Sequence, residues 1–285
     1  MTEEKKLGML YLSATPIGNL EDMTYRGVRV LAEADLIAAE DTRHTRKLLA
    51  HYDIHTKLTS YHEHNKFEKG PELVEYMLQG HTLVCVSDAG LPGIADPGSH
   101  LASLAIEAGI SVSPLPGANA ALSALICSGL DTTRFSFVGF LPKTNKKQQE
   151  VLQEVKSHRE TLIFYEAPHH LLGTLRALNK VLGGSRRAAA CRELTKKFEE
   201  FNRSSLAELL SFYEEHEPRG EFVLIVEGAA EEETAEESIT ETAAEIVAKL
   251  VAEGVNKKEA MRMAAQRLGI SRRDVYQQLL QEERG

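Results

Sequence analysis

The sequence predicts an α/β protein with two α/β domains, a cleft between them and a small helical appendage at the C-terminus. Apolar runs of strand length alternate with segments of helical spacing, and this alternation starts again after a Gly- and Pro-rich stretch. An Ala- and Glu-rich segment then separates the last helices from the rest of the chain. Strand–helix alternation is typical of parallel-rich sheets that are covered on both faces.

Residues 1–120 carry the first set of elements, the predicted N-terminal α/β domain. We expect Pro71 at a first helical position, where proline loses no hydrogen bond, and Gly109 just beyond a helix end. Apolar runs predict strands at 9–13, 36–40, 58–61, 83–87 and 111–115, and helical spacing predicts helices at 24–33, 42–50, 71–79 and 99–107.

Residues 121–229 repeat the pattern as a second α/β domain, joined to the first near residues 116–131. The sequence predicts strands at 135–140, 161–165, 188–192 and 222–226, with helices at 146–157, 169–181 and 205–214.

Residues 230–285 form the appendage. Residues 227–241 are mostly acidic or alanine, which predicts an exposed linker. Three short helical segments follow; Asn256-x-x-Glu259 and Ser271-x-x-Asp274 are typical of capping boxes, and Gly269 is expected to end the middle helix. A last helix that opens with Arg272-Arg273 favours a helix-turn-helix, although a helical hairpin for packing or dimerisation fits the same pattern.

Composition and charge indicate a cytoplasmic protein that also has basic surfaces. Hydrophobic residues make up 42% of the chain, no apolar stretch is long enough to span a bilayer, and the charged N-terminus lacks a signal-type apolar core. The three cysteines are far apart, which favours reduced, buried thiols. The net charge is −9, yet Lys and Arg are absent between Lys69 and Arg134 and cluster on both sides of that stretch. Each basic cluster is either a contact for an anionic partner or a solvated helix face.

Three loops rich in Gly and Pro follow predicted strands, where open α/β sheets bind ligands. They lack the Gly-Lys-Ser/Thr and Gly-x-Gly-x-x-Gly patterns of phosphate sites, and Asp88 and Asp96 would repel a phosphate. The loops therefore favour a positively charged ligand, such as a sulfonium with an amino-acid tail and adenine, although plain tight turns are the alternative. The loops are residues 14–19, 87–98 and 114–118.

Several blocks of sequence occur in one order and together carry a resemblance. They include Thr15-Pro16-Ile17-Gly18-Asn19-Leu20, Ala39-Glu40-Asp41-Thr42-Arg43, Ser60-Tyr61-His62-Glu63-His64-Asn65, Ser87-Asp88-Ala89-Gly90-x-Pro92-Gly93-Ile94-x-Asp96-Pro97-Gly98, Tyr165-Glu166-Ala167-Pro168-His169 and Arg192-Glu193-Leu194-Thr195-Lys196. From residue 9 to residue 228 the chain resembles the tetrapyrrole methylase-like superfamily. More narrowly, it is similar to the 16S ribosomal RNA (cytidine-2′-O)-methyltransferases.

The resemblance implies S-adenosyl-L-methionine as cofactor, bound between the domains in a folded conformation, and 16S rRNA of the small ribosomal subunit as partner. It also implies a homodimer. Leu91 and Ala95 stand where the family more often has hydroxyl residues, His170 replaces a usual Arg, and Ser204 replaces a common Gly. The cofactor contacts that it implies are Pro16, Asp88, Ala89, Gly90, Gly93, Ile94, Ala95, Pro116, Gly117, Ala118, Asn119, Glu166, Glu221 and Phe222.

Methyl transfer to a ribose hydroxyl needs alignment with the methyl group and benefits from a base. Candidate bases at predicted strand ends are Glu40, Asp41, His62, Glu63 and Glu193, with Asp41 the first choice and Glu193 the second. Arg43 and Lys196 are candidates to hold the flanking phosphates. Structural ion pairs are the alternative: Glu40 or Asp41 could pair with Arg43 or Arg46, and Glu193 could pair with Lys196.

A metal site is not expected. His62 and His64 would share a face if they lay on a strand, with His55 nearby, but a third ligand is lacking. Two other functions fit the pattern less well: a tetrapyrrole methyltransferase on the same fold, and a non-catalytic RNA-binding assembly protein.

Overall fold

The computed structural model describes residues 7–230, 242–252, 254–268 and 271–282. The chain separates into two compact units, Met1–Gly228 and Ala229–Gly285. Within the described residues, no helix is both long and apolar enough to cross a membrane. The first unit contains two five-stranded sheets, one on each side of residue 120. A division of this unit into domains 1–120 and 121–229 stays a prediction.

The first sheet is parallel throughout and has the strand order β3-β2-β4-β1-β5. Two of its inner strands, β2 and β4, are buried on both faces, which is why they read as continuous apolar runs rather than as alternating ones. The prediction of a parallel sheet here is confirmed. The strands are β1 (Met9–Ser13), β2 (Leu36–Ala39), β3 (Leu58–Ser60), β4 (Thr82–Val86) and β5 (Ser111–Leu115).

Four helices connect these strands: α1 (Tyr25–Glu33), α2 (Thr42–His51), α3 (Lys66–Leu78) and α4 (Gly98–Glu107). Gly109 follows α4 with φ +75°, as predicted. The prediction for Pro71 is wrong, because α3 begins five residues earlier and Pro71 lies inside it. Asn65 organises this earlier start: its side chain accepts the His62 amide and its carbonyl accepts the Lys69 amide. Proline then forfeits one helical hydrogen bond instead of ending the helix.

The second sheet has the order β6-β7-β10-β8-β9 and is mostly antiparallel, so the prediction of a parallel-rich second sheet is wrong. Only β6 and β7 pair in parallel; β10 enters between β7 and β8 in the opposite direction. The sequence prediction also missed β9, a polar edge strand that pairs with β8 without a helix between them. The strands are β6 (Phe135–Phe140), β7 (Thr161–Glu166), β8 (Arg187–Arg192), β9 (Glu200–Ser205) and β10 (Phe222–Val226).

Four helices accompany the second sheet: α5 (Ala120–Ser128), α6 (Asn145–Val155), α7 (Pro168–Leu182) and α8 (Leu206–Glu215). The prediction treated α5 as part of a connection. Its N-cap is nevertheless visible in the sequence, since the Asn119 side chain accepts the Leu122 amide. Ala124 and Leu125 of α5 pack with Ile163 and Ile225 of the second sheet, so this helix belongs to the core.

The second unit contains α9 (Ala243–Ala252), α10 (Lys257–Leu268) and α11 (Arg272–Glu282) around an apolar cluster that includes Ile246 and Val275. Ser271 and Asp274 form the predicted reciprocal cap, and the Asn256 side chain accepts the Glu259 amide. Gly269 and residues 231–241 of the predicted linker lie outside the described residues.

The cysteines follow the prediction in part. Cys85 and Cys191 are free and buried, whereas Cys127 is free and exposed, so the expectation that all three are buried is wrong. Cys127 lies in the last turn of α5.

Candidate active site

The carboxyl ends of β1 and β4 meet because all strands of the first sheet run in the same direction. The loops after them are joined by two backbone hydrogen bonds between Thr15 and Gly90, of 2.9 and 3.0 Å. The Thr15 hydroxyl also donates to the Ser87 carbonyl at 3.2 Å. The loops are therefore fixed to each other before any ligand arrives.

The loop after β4 keeps a fixed shape through glycine and one carboxylate. Gly90 and Gly93 have φ values of +82° and +90°, which side chains with a Cβ rarely adopt. Asp96 Oδ1 accepts the amides of Gly93 and Gly98, each at 2.8 Å. A Cβ on Gly98 would approach the Gly93 nitrogen to 2.7 Å, so the backbone path itself requires glycine.

A cavity of about 470 Å³ lies between this loop edge and the second sheet. Its volume is within the usual range for small-molecule sites, roughly 300–1,000 Å³. Of the predicted site residues, the cavity lining includes Asp88, Ala89, Gly90, Ile94, Ala95, Asn119, Glu166, Lys196, Glu221 and Phe222. Those that lie outside the lining are Pro16, Asp41, Arg43, Gly93, Pro116, Gly117, Ala118 and Glu193.

Three carboxylates, Glu40, Asp88 and Asp96, form the acidic wall of the cavity. Burial raises the pKa of Glu40 most; the donating Asp88 amide lowers it, the charges of Asp88 and Asp96 raise it, and the net shift is upward. Burial likewise raises the pKa of Asp96, although two amides donate to it. Mutual repulsion in a partly buried group of carboxylates is relieved by a cation, so this wall favours a positively charged ligand.

Phe140 and Tyr165 form the aromatic wall on the opposite side, and their rings contact edge to face with centroids 5.6 Å apart. Phe222 also lines the cavity, but its buried ring packs edge to face against Tyr213 in the core of the second sheet. Glu166 is also buried beside them; it accepts the Ala167 amide at 2.8 Å and the Thr174 hydroxyl. This wall supplies flat apolar surface of the kind that a heteroaromatic ring packs against.

An ion-pair network lies next to the aromatic wall. Lys196 Nζ lies 2.9 Å from Glu193 Oε1 and 2.8 Å from Glu221 Oε2. The Glu221 amide also donates to Glu193 at 2.9 Å. Burial raises the pKa of Glu193, but this amide and Lys196 outweigh it and lower the pKa overall. Glu193 is therefore held as an ionised partner of Lys196, the ion pair that the sequence left open as an alternative.

Gly18 brings the first loop against this network. A Cβ there would approach the Lys196 Cγ to 2.3 Å, and the Asn19 amide donates to the Thr195 hydroxyl at 3.1 Å. The lysine stem thus needs the space that Gly18 leaves open.

Asp41 and Arg43 also form the ion pair that the sequence allowed. Arg43 Nη2 lies 2.7 Å from Asp41 Oδ2, and the Arg43 amide donates to Asp41 Oδ1, which caps α2. These hydrogen bonds hold the pKa of Asp41 far below its usual range. A carboxyl group so acidic is a weak proton acceptor near neutral pH. A catalytic role for Asp41 stays a prediction.

Other lining residues were not singled out from the sequence, among them Phe140, Tyr165 and Leu194. Phe140 and Tyr165 end or nearly end their strands, a signal that could have placed them at a ligand edge. His62 and His64 lie beyond the end of β3, with ring centroids 6.0 Å apart. Among the residues that the structure describes, no group of three or more His, Cys, Asp or Glu side chains is placed to hold a metal ion.

Known proteins resemble this chain along nearly its whole length. Residues 9–210 match the family described as Tetrapyrrole (Corrin/Porphyrin) Methylases. A protein of Halalkalibacterium halodurans named ribosomal RNA small subunit methyltransferase I is 50% identical, over 94% of this chain and 93% of that protein. Proteins of the same name from Bacillus subtilis and Synechocystis are 48% and 46% identical, over 95% and 97% of this chain and 93% and 99% of theirs.

Solved structures share the fold at low identity. Diphthine synthase superposes with a TM-score of 0.59 at 14% identity, covering 77% of this chain and 89% of its own. Uroporphyrin-III C-methyltransferase from Thermus thermophilus, in complex with S-adenosyl homocysteine, has a TM-score of 0.55 at 18% identity, covering 77% and 97%. These likenesses establish the two-sheet architecture of the first unit.

Proposed function

The chain belongs to the tetrapyrrole (corrin/porphyrin) methylase family, and from that premise we propose that it is an S-adenosyl-L-methionine-dependent rRNA methyltransferase. In this proposal it methylates the ribose 2′-hydroxyl of a cytidine in 16S rRNA of the small ribosomal subunit. The observation that carries the proposal is the 50% identity, over nearly the full length of both chains, to a protein named ribosomal RNA small subunit methyltransferase I.

The charge and the aromatic lining of the cavity support this cofactor. The acidic wall favours the sulfonium and ammonium charges, and the aromatic wall provides a surface for adenine. Cofactor bound here would supply an electrophilic methyl group. Backbone groups of the loop after β4 are held rigidly by the Asp96 hydrogen bonds, so little ordering is needed on binding. Asp88, Gly90, Asn119, Glu166 and Phe222 are the residues that we expect to hold it.

RNA is proposed to approach from exposed basic side chains. The Arg43 side chain is 85% exposed at the N-terminus of α2, so it can pair with a phosphate although it also contacts Asp41. In the second unit, Arg272 and Arg273 are exposed at the start of α11, and arginine side chains and helix N-termini are common contacts for nucleic-acid phosphates. The net charge of −9 does not oppose this, because local fields decide which surface attracts a polyanion.

We also propose that the protein is a homodimer, with α5 in the interface. Leu122 and Ile126 are 45% and 73% exposed in the single chain, and they lie one turn apart on the same face of α5. Large apolar side chains that share a face are typical of surfaces covered by another protein. The variant Ile126→Asp should shift the mass in solution toward that of a monomer, and an unchanged mass would remove α5 from the interface.

A transfer assay tests the proposed function. The protein is incubated with methyl-labelled cofactor and, separately, with purified small ribosomal subunits, free 16S rRNA and a porphyrinogen. Label in the rRNA of one or both RNA samples is the expected result. Label in the porphyrinogen alone would make the protein a tetrapyrrole methyltransferase. Cofactor or RNA binding without any transfer would favour a non-catalytic assembly protein.

A further inference from the structure

Glu40 and His62 are brought together by strand pairing. In the parallel register of β2 and β3, Ala39 is paired with Ser60, and the Tyr61 amide donates to the Ala39 carbonyl at 2.8 Å. Glu40 is the next residue after β2, and His62 is the second after β3. Both therefore lie at the carboxyl edge of the first sheet, where Glu40 lines the cavity.

In the part of the chain that the structure describes, the Glu40 carboxylate has fewer partners than those of Asp41 and Glu193, the first and second choices for the base. Asp41 forms an ion pair with Arg43, and Glu193 forms one with Lys196 and accepts the Glu221 amide. Among the described residues, the hydrogen bond recorded for the Glu40 carboxylate is a long one, 3.4 Å, from the Asp88 amide. A half-buried carboxylate on a cavity wall with so little hydrogen bonding keeps lone pairs available for a ligand hydroxyl.

Within the described part of the chain, the His62 ring also lacks a hydrogen-bond partner at one of its nitrogens. Its Nδ1 atom is buried, and no group of the described residues forms a hydrogen bond with it. An unsatisfied buried ring nitrogen costs free energy unless water or a ligand forms a hydrogen bond with it. The charge of His62 acts on Glu40 and opposes the raising effect of Asp88 and Asp96 on the pKa of Glu40. The two side chains are therefore electrostatically coupled.

We propose that Glu40 accepts the proton of the acceptor hydroxyl and that His62 is a positioning residue whose charge balances that of Glu40; this rests on the proposed methyl transfer. The hydroxyl oxygen forms a bond to the methyl carbon while the carbon–sulfur bond breaks and its electron pair stays on sulfur. The hydroxyl proton goes to a Glu40 oxygen and from there to solvent. The acceptor oxygen thus ends as an ether and the sulfonium as a neutral thioether, so charge and atoms balance.

The sign of the pH dependence follows from the neighbours of Glu40. Asp88 after β4 and Asp96 before α4 face it with negative charge, and His62 after β3 faces it with positive charge when protonated. Burial and the two aspartates raise the pKa of Glu40 above its usual value. Because the ionised form accepts the proton, the transfer rate should fall as pH falls through this raised pKa.

A binding-independent readout tests the pair in the whole protein without cofactor. The side-chain carboxyl carbon of Glu40 is titrated by NMR in wild type, in His62→Gln, and in Glu33→Gln, whose carboxylate is exposed on α1. The Glu40→Gln spectrum assigns the Glu40 signal. The His62 charge lowers the pKa of Glu40, so His62→Gln should raise this pKa and Glu33→Gln should leave it unchanged. An unchanged Glu40 titration in His62→Gln would overturn the coupling.

Single-turnover rates complete the test. We expect Glu40→Gln to slow methyl transfer at least roughly 100-fold at saturating cofactor and RNA and to remove the acidic limb of the pH profile. His62→Gln should keep the limb but shift its midpoint, while Glu33→Gln matches wild type. A Glu40→Gln enzyme with the wild-type rate and limb would overturn the proposal while the proposed function stands. A wild-type protein that transfers no methyl group to RNA would instead overturn the proposed function.

Discussion

The two sides of the cavity are built on different principles. The acidic wall stands on an all-parallel sheet, and its loop is shaped by backbone hydrogen bonds and glycine, as at Thr15–Gly90 and Gly93–Asp96–Gly98. The aromatic wall stands on a mostly antiparallel sheet and is shaped by side chains, including the Lys196 ion-pair network. In the proposed function, the first side would select the ligand by charge and backbone fit, and the second by apolar surface.

We expect the largest effect on cofactor affinity from a variant that disrupts the backbone conformation of the loop beside the acidic wall. Gly90→Val places a branched side chain at φ +82°, near Ile17 and Ala118, at the edge of the cavity. We expect affinity for S-adenosylmethionine to fall at least roughly 100-fold, about 2.7 kcal/mol, by isothermal titration calorimetry. Gly109→Val is the matched control, because Gly109 has φ +75° and open space around it. Equal affinity losses in both variants would show that strain rather than the loop shape is responsible.

The next effect concerns the network beside the aromatic wall. Lys196→Met keeps an unbranched stem and removes the charge between Glu193 and Glu221. Partly buried charged hydrogen bonds of this kind contribute about 1–3 kcal/mol, so the free energy of unfolding in urea should drop by about that amount at pH 7. Arg29→Met, which breaks an exposed pair with Glu33, should cost less than about 0.5 kcal/mol.

The stability difference between wild type and Lys196→Met should depend on pH in a direction that the pKa shifts of Glu193 and Lys196 determine. The pKa of Glu193 is lowered in the folded chain, so its contribution is present above the unfolded value, near 4.5, and is lost as pH falls through the lower folded value. The pKa of Lys196 is raised: burial opposes this, but its hydrogen bonds to Glu221 and Glu193 prevail. Its contribution is lost only as pH rises through the folded value, above 10.5. A stability difference that stays constant into strong acid would contradict the ion-pair account.

A smaller effect separates charge from shape on the acidic wall. Asp88→Asn keeps the oxygen that accepts the Asp41 amide at 2.9 Å and removes only the charge. Affinity for the cationic S-adenosylmethionine should then fall about tenfold more than affinity for neutral-sulfur S-adenosylhomocysteine, about 1.4 kcal/mol of discrimination. Calorimetry with both ligands measures this. Equal losses of affinity for the two ligands would mean that the acidic wall does not recognise the sulfonium charge.

The smallest effect lies outside the cavity, in the second unit. If Arg272 and Arg273 contact RNA phosphates, changing both to Gln should reduce the slope of log affinity against log salt by about 2 and leave cofactor affinity unchanged. Binding of RNA measured at several salt concentrations checks this. An unaltered slope together with a changed oligomeric state would favour the helical hairpin that packs or dimerises.

Local sequence signals predicted the parts of the fold that local physics determines. The bounds of β1, β6 and β10 are confirmed because each is a dense apolar run with clear ends. Helix α5 was missed because its residues are apolar on nearly every side and show no amphipathic period, while β9 was missed because its sequence, EFNRSS, is polar. Strand direction in the second sheet depends on long-range pairing, which strand–helix alternation does not encode.

In the candidate site, too, the features that depend on local sequence were predicted, and those that depend on strand pairing were missed. The Gly-rich loop after β4 and its acidic residues were predicted, because glycine and aspartate reveal backbone shape and charge in any single sequence. The aromatic wall was largely missed, since Phe140 and Tyr165 meet only through the pairing of β6 with β7, which a local pattern does not encode. Whether Glu193 pairs with Lys196 was left open for the same reason: their spacing allows an ion pair, but the Glu221 amide that fixes it comes from another strand connection.

Nucleoside analysis of the reaction product tests the central claim most directly. Small ribosomal subunits lacking the modification are incubated with the protein and cofactor, and the 16S rRNA is digested and examined by mass spectrometry, with alkaline hydrolysis in parallel. The account predicts 2′-O-methylcytidine as the new product and one position that resists alkaline cleavage. A methyl group on a base, or no new methyl group while the cofactor still binds in the cavity, would contradict it.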